Sequence, residues 1–330
     1  MVNISANYLG ISLKNPLIVG SSRLTGELNT LKQCVDKGAS AVVLKSLFEE
    51  QIVKEAESKI SKNNIEEHYF WFKEAEQKIL DLSFDQNMQR YLDYVLEVKR
   101  NVEVPVISSI NCVSSKGWPK FASEIEKAGA DALELNIGIF PFDIKTTSAE
   151  IENTYFDIIR EVKANVNIPV SVKIGSYFTN ILSFANGLVE AGADGIVLFN
   201  RYFRPDIDMD TRKLVASDNL SSPDDYLVAM RWIGLLVANK INCDLVASTG
   251  VHNYEAVVKQ ILAGANAVQL CSTLYLNGID TIEKINNNLI SWMENKGYNS
   301  LEDFRSSSLD LQSVDASFER IQYIKRSFND

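Results

Sequence analysis

The chain has 330 residues, 46% of them hydrophobic and 23% charged, with a net charge of −10 and a pI near 4.9. That composition buries a substantial core, but it lacks the Lys/Arg-rich face that nucleic acid or an anionic membrane requires, so a small-molecule substrate is expected. Cys34, Cys112, Cys243 and Cys271 show no C-x-x-C spacing, and His68 and His252 are isolated. No metal site and no Ser-His-Asp triad is expected from them.

In chain order, residues 1–10 carry no secretory pattern, which points to a cytoplasmic protein. A short apolar run opened by proline, 16–19, reads as the first strand, because proline at a strand start costs no ladder hydrogen bond. Helix 28–37 then stops at Gly38-Ala39-Ser40-Ala41, and the apolar run AVVLK follows at once. The same joint recurs at Gly129-Ala130-Asp131-Ala132, Gly192-Ala193-Asp194-Gly195 and Gly264-Ala265-Asn266-Ala267, leading into ALELN, GIVLF and AVQLC. Each is a helix ended by glycine and followed by a buried strand.

Further strands are predicted at 105–107, 169–172 and 245–247, with helices at 121–127, 149–163, 181–190, 224–239 and 254–262. Eight strands, apolar on both faces and alternating with helices, describe an α/β fold, a (β/α)8 TIM barrel; an open doubly wound sheet is the rival. One domain over 1–330 is expected. Residues 48–84 form a helical, aromatic insertion that should cover the barrel mouth, and residues 297–330 a tail packed outside.

In such a barrel, chemistry sits where the strands end. Those ends carry Gly20-Ser21-Ser22, Lys45-Ser46, Asn111, Asn136, Lys173, Asn200-Arg201, Ser248-Thr249-Gly250 and Cys271-Ser272-Thr273. Lysines within the apolar runs VVLKS and VSVKI are costly to bury without a polar ligand, so Lys45 and Lys173 point to an anionic, heteroatom-rich one. The glycine turn after strand seven, beside the hydroxyls after strand eight, is the usual phosphate position of a barrel.

YLGISLKNPLIVGSS, VVLKS, LELN, SVKIGSYF, LFN, ASTGV and VQLCSTLY, in that order, resemble the dihydroorotate dehydrogenase family over nearly the whole chain. SLFEEQI and FNRYFRPDID are shared with a divergent, dihydroorotate dehydrogenase-like branch of it. The resemblance implies an FMN-dependent oxidoreductase acting on a CH–CH or C=C bond of a small anionic substrate, dihydroorotate in pyrimidine biosynthesis. Gly20, Ser21, Ser22, Lys45, Ser46, Asn111, Asn136, Lys173 and Asn200 would surround the ring and ribityl chain; Ser248, Thr249, Gly250, Cys271, Ser272 and Thr273 would hold the phosphate. Lys45, Lys173 and Asn136 take the catalytic roles, and Asn136, Asn200 and Arg201 the substrate contacts. A homodimer is also implied.

One stretch departs from the pattern. After the strand-four asparagine the family places a loop whose cysteine or serine removes the substrate proton, whereas this chain reads Asn136-Ile137-Gly138-Ile139-Phe140-Pro141. The base is unassigned, and the apolar loop is either a lid over the flavin or the floor of an altered pocket. Cys112 and Tyr177 are the alternative groups nearby, each with a structural role as the simpler reading. Two rivals follow: a flavin-binding electron-transfer partner without dihydroorotate chemistry, and an FMN-free lyase using a lysine Schiff base.

Overall fold

The architecture follows from local stops and starts. The computed structural model describes residues 2–48, 72–112, 118–139, 142–202, 204–216 and 220–307. Eight parallel strands form the barrel: β3 (Leu17–Val19), β4 (Ala41–Val43), β6 (Val106–Cys112), β7 (Ala132–Ile137), β8 (Val170–Ile174), β9 (Gly195–Leu198), β12 (Asp244–Ser248) and β13 (Ala267–Leu270). Neighbours in sequence are neighbours in the sheet, β13 pairs with β3, and β4 pairs with β6, so the sheet closes on itself. The closed barrel removes the open-sheet rival.

The four repeated joints work as read. Gly38, Gly129, Gly192 and Gly264 all have φ between 89° and 110°, where a Cβ would be strained. The third residue of each joint then ties the strand to its neighbour. Asp131 accepts from Val106 N and Asp194 from Val170 N, both at 2.7 Å, and Asn266 accepts from Leu245 N at 2.9 Å. Ser40 Oγ donates to Leu17 O. Lys99 and Lys163 complete the carboxylate sites of Asp131 and Asp194.

The N-terminal end of the barrel is plugged by a hairpin of β1 (Ala6–Tyr8) and β2 (Ile11–Leu13). Tyr8, Leu9 and Leu13 pack on inward residues such as Ile18, Val43, Ile107, Val197 and Val246. That closure leaves the C-terminal strand ends as the accessible mouth. A small exposed hairpin, β10 (Pro205–Ile207) with β11 (Leu214–Ala216), follows β9.

Only part of the insertion falls within the described residues. After β5 (Leu47–Phe48), residues 49–71 lie outside the described residues, and with them Tyr69, Phe70, Trp71 and any cover over the mouth. Residues 72–84 belong to a 30-residue helix, α1 (Phe72–Asn101), that leads into β6 and is one of the barrel's own helices. Residue 84 is no boundary in the structure, since the helix continues through it. In the tail, Leu301 and Phe304 are buried, Phe304 against Trp292 and Tyr298, while residues 308–330 lie outside the described residues.

Candidate active site

Register places the mouth residues before any side chain is considered. Asn111, Asn136 and Lys173 are successive partners across β6, β7 and β8. Strand side chains alternate, so Glu134 and Ser171 line the same interior one layer deeper. The paired carboxamides meet directly, Asn200 Nδ2 donating to Asn136 Oδ1 at 2.6 Å.

Lys173 is buried, 9% exposed, and its Nζ donates to Gln269 Oε1 at 2.9 Å across the barrel. Gln269 Nε2 donates onward to Glu134, which is fully buried. Burial pushes the Glu134 carboxyl above its usual range, opposed by the Lys173 charge and by the Gln269 amide. Gly20 belongs to the same layer, since a Cβ there would sit 3.3 Å from Gln269 Oε1.

Ser21, Lys173, Asn200, Arg201, Ser248, Thr249, Gly250, Cys271 and Ser272 border one cavity at the mouth, together with Gln269, Leu220 and Ser221. Ser46 joins from the side, its Oγ 3.0 Å from Ser21 Oγ and 2.7 Å from Ser109 Oγ. Thr249 and Gly250 have successive positive φ values of 78° and 79°, a tight turn in which Gly250 N donates to Ser221 Oγ and Thr249 Oγ1 to Phe199 O. Burial pushes the Cys271 thiol up, with Lys173 and Ser22 pulling the other way, so it is no ready nucleophile.

Three of the expected site residues stand differently from the rest. Lys45 is exposed and does not border that cavity; its stem lies over Gly26, so only one of the two lysines is buried. Thr273 is buried behind the wall and donates its hydroxyl to His252 O at 3.3 Å. Arg201 faces the cavity, but it is held in an ion pair with Asp225 and both partners are largely buried. Asn111 stands in register with the rest, and nothing is described of the Cys112 side chain.

Glu134, Gln269, Ser109 and Ser221 were missed. A signal existed for Glu134 and Gln269: each is a polar residue inside an apolar strand, two positions before the predicted Asn136 and Cys271. Ser221 comes from the segment after the exposed hairpin, where no local pattern marks it. It accepts from Gly250 N at 3.1 Å, contacts His252 Nε2 at 3.1 Å, and its own N–H donates to Ser272 Oγ at 2.9 Å.

The apolar loop is explained by what lies beneath it. Ile137 is buried and Ile139 half-buried, and their carbonyls are held by phenols. Tyr155 Oη donates to Ile137 O at 3.0 Å, Tyr177 Oη to Ile139 O at 3.1 Å, and Tyr155 and Tyr177 hydroxyls lie 3.0 Å apart. Tyr155 also packs edge-on against Phe178 and Phe184. This makes 137–139 part of the mouth's packed wall; Phe140 and Pro141 lie outside the described residues, and Phe142 is exposed. Tyr155→Phe is expected to cost about 1 kcal/mol of stability, read by urea unfolding, and to speed amide exchange at Gly138 and Ile139; unchanged exchange would remove the phenol as the loop's anchor.

Among the described residues no helix is long and apolar enough to cross a membrane. The comparisons with known proteins agree with the geometry. Dihydroorotate dehydrogenase B (NAD(+)) catalytic subunits are similar over most of their length. The one from Thermoplasma volcanium is 26% identical over 92% of this chain and 97% of its own. That of Methanocaldococcus jannaschii is 26% identical over 88% and 94%; that of Methanocella arvoryzae is 28% identical over 89% and 94%. A family model described as Dihydroorotate dehydrogenase matches residues 77–293, from the helix before β6 to the helix Thr281–Lys296, and the chain belongs to that family.

Proposed function

We infer that the protein is an FMN-dependent oxidoreductase of the dihydroorotate dehydrogenase type, acting on a CH–CH bond of a small anionic substrate. The observation that carries this reading is the mouth cavity, which the buried Lys173 ammonium, Asn200 and the Ser248–Thr249–Gly250 turn border together. That donor set fits FMN: cations and amides for an electron-rich ring, N–H and hydroxyl groups for a phosphate.

Lys173, Asn136, Asn111, Gly20, Ser21, Ser22 and Ser46 would hold the ring and ribityl chain. Ser248, Thr249, Gly250, Cys271 and Ser272 would hold the phosphate, joined by Ser221. When bound, FMN would supply the hydride acceptor for the substrate. Lys173 Nζ keeps donors beyond the one given to Gln269 and stabilises negative charge arising at the mouth. The Asn136–Asn200 pair orients the substrate, because each amide is fixed by the other. Asp225 holds the Arg201 guanidinium in place, and its remaining N–H groups suit a carboxylate. Residues 137–141 contain no side chain able to take the substrate proton.

That last observation favours a second reading, a flavin protein that passes electrons without oxidising dihydroorotate. One anaerobic experiment separates them: load the protein with FMN, add dihydroorotate and follow the visible flavin absorbance. Bleaching is expected on the first reading. A yellow protein that stays yellow would support the second, and a colourless one would remove the flavin and return the lysine Schiff-base lyase, tested by borohydride trapping.

A further inference from the structure

Behind the mouth lies a polar unit that substrate contacts do not use. Glu134 is fully buried on β7, and its Oε1 has no hydrogen-bond partner. Its other oxygen accepts from Gln269 Nε2, and Gln269 Oε1 accepts from Lys173 Nζ. The Gln269 amide is therefore oriented from both ends. Lys173 is held at one proton and free to offer the others to the cavity it borders.

The groups that act on Glu134 come from every side. Lys173 and Ser171 face it from β8, Gln269 from β13 and Ser109 from β6. Below it stands Tyr8 of the plug, whose buried hydroxyl lies beside Ser171, and Tyr91 of α1 lies within electrostatic reach. Lys173 is the single cation of this set, and it is reached only through the amide. The unit thus has two charge states: neutral when the carboxylate is ionised opposite the ammonium, and +1 when the carboxyl is protonated.

We propose that Glu134 is a positioning residue that stores a proton in step with the charge of the ligand at Lys173. Negative charge gained at the mouth draws on the ammonium, and a proton taken up by Glu134 from solvent leaves that ammonium uncompensated for the ligand. The proposal rests on the flavin reading, in which two-electron reduction by an external donor such as dithionite supplies that negative charge.

Linkage fixes the sign of a flavin-free test. A carboxyl raised by burial is protonated in the folded chain at pH values where the unfolded chain is ionised, so its contribution to stability falls as pH rises from about 4 through the folded value. Glu134→Gln is isosteric and does not titrate. The difference in Tm, variant minus wild type, is expected to grow across that window and to be level at its acid end; a flat difference would overturn the proposal.

The decisive measurement is the midpoint potential of bound FMN against pH in wild type and E134Q. Wild type is expected to take up one more proton per two electrons than E134Q within the titration window, with oxidised FMN bound equally within about two-fold. Glu134→Leu, which also removes the titrating carboxyl, should flatten the slope in the same way and stands in if E134Q does not fold. Coincident slopes in a protein that binds FMN would overturn the proposal alone. Failure to bind FMN would overturn the flavin reading and the proposal with it.

Discussion

Lys173→Ala is expected to weaken FMN binding by about 10- to 100-fold, the loss of a charge-assisted hydrogen bond worth about 1.5–3 kcal/mol. The effect extends beyond one contact. Lys173 is the buried cation of the mouth, and its removal leaves Gln269 Oε1 without its donor and Glu134 without its nearest positive charge. Flavin fluorescence titration gives the affinity, and anaerobic reduction the rate. Lys173→Arg keeps the charge with a longer, planar head and should recover part of the affinity. Unchanged affinity and reduction rate in the alanine variant would take Lys173 out of the flavin site.

Gly250→Ala is expected to cost more than about 3 kcal/mol, the range of severe backbone clashes. A Cβ at Gly250 would lie 2.1 Å from Tyr226 N and 2.6 Å from Asp225 C, both backbone atoms, and the residue has φ of 79°. Neither neighbour can swing aside as a side chain would. The turn that presents Ser248, Thr249 and Gly250 to the cavity would be displaced, so phosphate-dependent FMN binding should fall with stability. Gly10→Ala is the control: φ is 73° but nothing lies within 4 Å, so it should lose only about 1 kcal/mol of conformational strain. Equal losses in urea unfolding for both variants would show that φ alone, and not the close approach to the helix, explains Gly250.

The sequence by itself determined the barrel. Eight apolar runs and four Gly-Ala-x joints are local patterns, each set by a few neighbouring residues, and all reappear as parallel strands and left-handed helix stops. It also determined which strand ends carry polar groups, because strand alternation places Asn111, Asn136 and Lys173 on one inner face. The apolar character of 137–139 was visible too, but not its cause, since Tyr155 and Tyr177 approach from other elements.

What only the tertiary structure decided is how those groups are paired and buried. VVLKS and VSVKI look alike, yet Lys173 stays inside the ladder beside Asn136 and is enclosed. Lys45 follows the end of β4, where its N–H turns to Thr25 O and its side chain emerges over Gly26. Gln269 finds Lys173 across 96 residues of chain and Glu134 across 135. Such partners are chosen by closure of the barrel, which brings β7, β8 and β13 around one interior, and no local pattern records which distant polar group will stand opposite.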